Sequence, residues 1–278
     1  MSDLTKQVLL DANLDSYQSF FDHDWAQNLD QLARGTPLEQ VVFDLIAAWK
    51  AAALTHRLPW LTVQFFKSFA REFVKSRDSL TKMFVEAFVR DISNKTPSLR
   101  HMQRKEVIEA VQGIYKTIGE PAETAVSEHV LDAFWKRVLG DFEFNGSIWA
   151  SQRLCFCALY YAYEDFLVRV YQLVSGNPKY RLRTADMFGD DFEKAFSKSL
   201  RDLCFSGDVN IARLVRNAFA HNGGRETDPL RAEKHSYHIA GGEIQIVPAQ
   251  TKALFDLLKD RATRVVVETV PQLPPPKK

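Results

Sequence analysis

Residues 147–174 read Ser-Ile-Trp-Ala-Ser-Gln-Arg-Leu-Cys-Phe-Cys-Ala-Leu-Tyr-Tyr-Ala-Tyr-Glu-Asp-Phe-Leu-Val-Arg-Val-Tyr-Gln-Leu-Val. Apolar and aromatic residues recur at helical rather than alternating spacing, through Trp149, Phe156, Tyr160, Tyr163, Phe166 and Tyr171. The Asn145-Gly146 turn signal precedes the run and Ser175-Gly176-Asn177-Pro178 ends it, so a long helix is predicted from about Ser147 to Val174. Its aromatic stripe has the character of a core or a dimer interface.

The same period holds on both sides. In 37–57, Thr36 is placed as an N-cap and Pro37 at the first helical position, with Val41, Leu45, Trp49 and Ala52 on one stripe. Stripes follow in 60–76, 79–92, 99–118 and 121–140. Downstream, helices are expected from about Asp190 to Cys204, from Asp208 to His221 and from about Ala249 to Val270. One segment reads as β: Tyr237–Ala240 and Glu243–Ile246 flank Gly241-Gly242, a two-residue hairpin turn. Pairing Ala240 with Glu243 puts Tyr237, Ile239, Ile244 and Ile246 on one face and His238 and Gln245 on the other. The fold class is therefore all-α with one small β-hairpin.

Composition narrows the function classes. The 278 residues carry 36 Lys+Arg against 35 Asp+Glu, a net charge of +1, which excludes a protein that holds nucleic acid by bulk charge. Charge is nonetheless local, with three basic against eight acidic residues in 1–50 and eleven against six in 51–110. Only three cysteines occur, Cys155, Cys157 and Cys204, too few for a disulfide framework and without paired knuckles for zinc. The N-terminus lacks the pattern of a signal peptide, and no stretch reaches the ~18 apolar residues of a membrane span, so a cytoplasmic chain without membrane contact is expected.

The sharpest chemistry lies in Arg213-Leu-Val-Arg216-Asn217-Ala-Phe-Ala-His221-Asn-Gly-Gly224. On a helix, Arg213, Asn217 and His221 are four apart and share a face, and Arg216 lies beside them. His221 falls in the last turn, where the negative end of the helix favours imidazolium and the arginines oppose it. An arginine fork suits a phosphate and a histidine moves protons, a combination fitted to RNA cleavage without a metal or cofactor.

Arg216-Asn217-x-x-x-His221 near a helix end resembles the signature of the HEPN superfamily (higher eukaryotes and prokaryotes nucleotide-binding domain). Tyr163-Glu164-Asp165-Phe166 on the preceding long helix is similar to that family's acidic first helix, and Ala-His-Asn-Gly-Gly after the motif is typical of several of its groups. The resemblance spans roughly 147–270. It implies a helical domain that forms a homodimer with two motif helices across a cleft, acting as an endoribonuclease, a hydrolase, on RNA in toxin–antitoxin, antiphage or RNA-processing systems. On it, Arg216 and His221 form the catalytic pair, Asn217 and Arg213 support it, and Glu164 or Asp165 orients Arg216. An antitoxin or regulatory partner fits the same setting. The family also contains members that only bind or dimerise.

Other features are less pointed. Lys179, Arg181 and Arg183 with Tyr180 have the makings of an RNA backbone and base contact, although a solvated loop explains them as well. His235-x-x-His238 straddles a strand start, so no metal site is expected, and Asp22-His23-Asp24 reads as helix N-terminal charge. The expected organisation is a helical N-terminal region over 1–145 of unknown role, a HEPN-like helical bundle over 146–270 and a disordered tail over 271–278.

Overall fold

A computed structural model describes residues 13–65, 133, 135–137, 139–181 and 184–273. The chain divides into two compact units, one of residues 1–58 with 142–278 and one of 59–141. Within the second, residues 59–65 and 135–137 are helical and Val63 and Trp135 are buried. The stripes expected in 60–76, 79–92, 99–118 and 121–140 lie largely outside the described residues.

The first unit is predominantly helical with one small two-stranded hairpin, as the periodicity predicts. Its elements run α1 (His23–Ala33), α2 (Glu39–His56), α3 (Phe142–Ser175), α4 (Ala185–Ala195), α5 (Lys198–Phe205), α6 (Asp208–His221), the single turn α7 (Asp228–Arg231), β1 (His238–Ala240), β2 (Glu243–Gln245) and α8 (Pro248–Thr269).

Helix α3 is the axis. At 34 residues it extends about 50 Å. It begins five residues before the expected start and runs through Asn145-Gly146, so the local turn preference there yields to helical packing. Antiparallel to it lies α2, whose buried Trp49 donates its indole N–H to the Leu159 carbonyl at 3.0 Å. The Cys155 thiol donates to the Ala52 carbonyl at 3.0 Å one turn further on. Val41, Leu45, Trp49 and Ala52 are all buried, as their spacing predicts. Thr36, however, closes the preceding turn by donating to Ala33 at 2.6 Å, and the helix starts at Glu39.

This packing differs from a boundary near residue 145. Residues 14–56 share a core with α3 and α8, in which Trp25 stacks on Trp49 at 5.4 Å and both meet Phe255 edge-on. Asp22 caps α1 by accepting from the Trp25 N–H at 2.9 Å and pairs with Lys259 of α8 at 3.1 Å, while the Trp25 indole N–H donates to Thr263 at 2.8 Å.

The helix expected over 190–204 is two helices. Thr184 caps the first and Ser197 the second, each accepting from the backbone N–H three residues on. The hairpin has the expected register, Ala240 opposite Glu243 and Ile239 opposite Ile244. Gln245, assigned to the outer face, is buried, because both faces of β2 are covered. Part of the segment expected as a disordered tail, 271–278, is ordered: Val270–Gln272 form a 3-10 turn, and 274–278 lie outside the described residues.

Candidate functional site

Helix α6 spans Asp208–His221, the bounds read from sequence, and buries Val209, Ala212, Val215 and Ala218. This burial turns Arg213, Arg216, Asn217 and His221 away from the core. The helix stops because Gly223 and Gly224 take positive φ (62° and 83°), and the Gly224 N–H returns to the Ala218 carbonyl at 3.0 Å. The chain then joins the hairpin: the Ile244 N–H donates to the Gly224 carbonyl at 2.8 Å and the Glu226 N–H to the Gly242 carbonyl at 2.9 Å. The end of the motif is thus held by strand-type bonds.

Arg216 forms an ion pair with Glu164 of α3. Its Nη1 also donates to Asn217 Oδ1 at 2.8 Å, and its guanidinium carbon lies 5.6 Å from the Tyr160 ring. Burial raises the Glu164 carboxyl above its ordinary value, against the opposing charges of Arg216 and Arg213. The choice that periodicity leaves open is settled by geometry. Glu164 faces Arg216, whereas Asp165 turns to Arg169 at 3.8 Å, which pairs with Asp44 of α2 at 2.7 Å.

Arg213 donates twice to Asn210 Oδ1, at 3.1 and 2.8 Å, along its own helix. His221 is exposed in the last turn, with no hydrogen bond or ion pair among the described residues. The structure therefore joins Arg216, Asn217 and Glu164 directly, brings Arg213 in by charge, and leaves the imidazole open to solvent.

In the basic loop, Lys179 and Arg181 are exposed and Arg183 lies outside the described residues. Tyr180 is engaged in packing: its ring meets Tyr171 at 4.5 Å and its hydroxyl donates to Asp191 at 3.2 Å. A ring so placed does not offer a free face to a base. Among the described residues no group of three or more His, Cys, Asp and Glu could hold a metal ion. His235 approaches Glu226 at 3.4 Å, while His238 is exposed on β1. All three thiols are free, and burial pushes Cys155 and Cys204 up to about 12 and Cys157 up to about 11.

Sequence reasoning missed Arg153 of α3. Its guanidinium lies 4.3 Å from the Trp149 ring and 4.5 Å from the Phe219 ring, between the long helix and the end of the motif helix. The Trp149–Arg153 step of four was readable on α3; the contribution of Phe219 was not, because it comes from α6. A separate cavity of about 550 Å³ opens at the other end of α6, lined by Asp208, Ile211, His235, Tyr237, Leu254 and Leu257 among others. No motif residue lines it.

Compared with protein-family models, with curated proteins and with solved structures, the chain shows no match.

Proposed function

We propose that the chain is a metal-independent endoribonuclease of HEPN type. The carrying observation is the Glu164–Arg216 ion pair between α3 and α6, with His221 five residues on along α6, exposed and without a partner among the described residues. In the reaction, the ribose 2′-oxygen attacks the adjacent phosphorus and forms an O–P bond as the bond to the 5′-oxygen breaks. His221 transfers a proton between the 2′-hydroxyl and the leaving oxygen, and Arg216 stabilises the charge gained by the non-bridging oxygens. Glu164 and Asn217 hold the Arg216 fork, and Arg213 adds positive charge beside it.

The active form in this proposal is a homodimer. Leu154, Ala158 and Tyr161 form one exposed stripe on α3, with Leu154 and Tyr161 each 66% exposed. By helical periodicity it adjoins the face that carries Cys157 and Glu164, so two copies docked on it would bring their motifs together. A cytoplasmic toxin or antiphage setting, with an antitoxin or regulatory partner, belongs to the same proposal.

A second reading, a non-catalytic module that binds RNA or nucleotide or dimerises, is favoured by one observation. Glu164 already neutralises Arg216, and among the described residues no carboxylate orients His221. The two separate on incubation of the purified protein with mixed RNA in EDTA. Cleavage that persists in chelator and disappears in both His221→Ala and Arg216→Ala supports the nuclease; absence of cleavage on every RNA supports the binding module.

A further inference from the structure

Arg153 is half-buried, yet among the described residues it has no hydrogen bond and no ion pair. Glu243 acts on it by charge without reaching ion-pair distance, and burial draws its basicity below the usual arginine value. An arginine in this state normally recruits a carboxylate or lies out in water. Here two aromatic faces hold the planar group instead, so its N–H fork is fixed in direction without being used.

The surroundings are short of acceptors. Among the described residues the buried Trp149 indole N–H has no partner, and neither has Arg216 Nε. Arg153 and Arg216 both bear on the Cys157 thiol by charge, so both guanidiniums lie within electrostatic reach of that residue of α3. Gly224 completes the arrangement. A Cβ there would stand 2.6 Å from Arg153 Nη2 and 3.0 Å from the Phe219 ring, so the bare backbone leaves room for the guanidinium. Unused donors, positive charge and a close backbone suit a group that is all acceptor and negatively charged.

We infer that Arg153, sandwiched between Trp149 and Phe219 beside Gly224, is a phosphate-binding residue that holds a phosphodiester of single-stranded RNA next to the Arg216–His221 pair. This inference rests on the reading of the chain as a protein that acts on RNA. Arg153 here is a binding residue, and the proton transfers remain with His221. A planar fork already held in place loses little side-chain freedom on binding, which is the advantage of the aromatic sandwich over a free lysine.

The test uses the full chain and a fluorescent, 2′-O-methylated RNA oligonucleotide that cannot be cleaved, with anisotropy read in EDTA over a salt series. Arg153→Gln is expected to weaken binding roughly ten- to a hundred-fold, the range for a hydrogen bond to a charged group. It is also expected to flatten the salt slope by about 0.7, the loss of one phosphate contact on a single strand. Exposed Lys252→Gln serves as a charge control and should bind as wild type does. If Arg153→Gln lacks a cooperative unfolding transition, Arg153→Lys takes its place; it keeps the charge but not the fork, and a several-fold loss is expected.

Wild-type affinity and salt slope in a folded Arg153 variant would overturn the inference, and so would failure of the wild type to bind. Cleavage of unmodified RNA is scored separately. Arg153-dependent binding without cleavage keeps the phosphate site and removes the nuclease; cleavage with Arg153-independent binding does the reverse.

Discussion

Glu164 and Arg216 stand 52 positions apart and meet in an ion pair whose side chains are 18% and 16% exposed. A pair this sheltered from water fixes direction more than it adds stability, because desolvation offsets much of the attraction. Its consequence is positional. Arg216 is locked to α3, while His221, five residues on, stays free at the end of α6.

Separate roles are therefore expected for the two adjacent acids. Glu164→Gln should lower chelator-resistant RNA cleavage by one to two orders of magnitude through loss of Arg216 orientation, while Asp165→Asn, whose ion pair is with Arg169, should leave it within about twofold. A titration of initial rate against RNA concentration checks this. A fall in kcat with KM little changed marks positioning, and equal effects from both substitutions would show that the ion pair does not serve the site.

Gly223 and Gly224 provide an internally controlled comparison. Both hold positive φ, so alanine at either should cost about 1–2 kcal/mol of stability. Only at Gly224 does the added methyl meet the Arg153 guanidinium, with nothing within 4 Å at Gly223. Thermal unfolding should show a loss for both variants, the larger for Gly224→Ala, whose methyl also crowds the Phe219 ring, and RNA binding should fall only in Gly224→Ala.

His56 makes stability depend on pH. It is buried against Phe20 with its Nε2 3.2 Å from the Ser16 carbonyl, and burial lowers its pKa below 6.5, outweighing Ser16 and Gln152. The unfolded chain takes up a proton near pH 6.5 that the folded chain resists, so stability is full above that value and is lost as pH falls below it. The slope approaches about 1.4 kcal/mol per pH unit. Denaturant unfolding of wild type and His56→Gln at pH 7.5, 6.5 and 5.5 reads it, and the two should converge as pH falls. Parallel profiles would mean that His56 is not the group responsible.

Residues 14–56 are expected to be indispensable to the body that carries the motif. Trp49 is fully buried between α1, α3 and α8, and Trp49→Ala should cost about 3–5 kcal/mol. A fragment of 142–278 alone should lack a cooperative unfolding transition. A sharp transition with native near-UV dichroism in that fragment would show instead that the C-terminal half folds by itself.

What could be read from the sequence was mostly local. The bounds of α6 follow from an apolar stripe ended by two glycines, and the hairpin register follows from Gly241-Gly242. The break between α4 and α5 was also readable, since Ser197 precedes the second helix as a capping residue should, although the apolar run obscures it. Three features depend on distant partners and were out of reach. Asn145-Gly146 is helical because α3 continues through it, residues 20–53 join the core although 59–141 separate them from α3, and Arg153 finds its second aromatic face on α6. At the candidate site the motif was visible, but the choice of Glu164 over Asp165 needed the orientation of α3 against α6.

The most direct measurement is RNA cleavage by the purified full chain in EDTA, with His221→Ala and Arg216→Ala alongside and folding of all three confirmed by their unfolding transitions. Expected is cleavage that resists chelation in the wild type, leaves 2′,3′-cyclic phosphate ends, and falls by at least a hundredfold in each variant. Cleavage that survives both substitutions, or a wild type that cuts no RNA, would contradict the assignment of Arg216 and His221 as a catalytic pair.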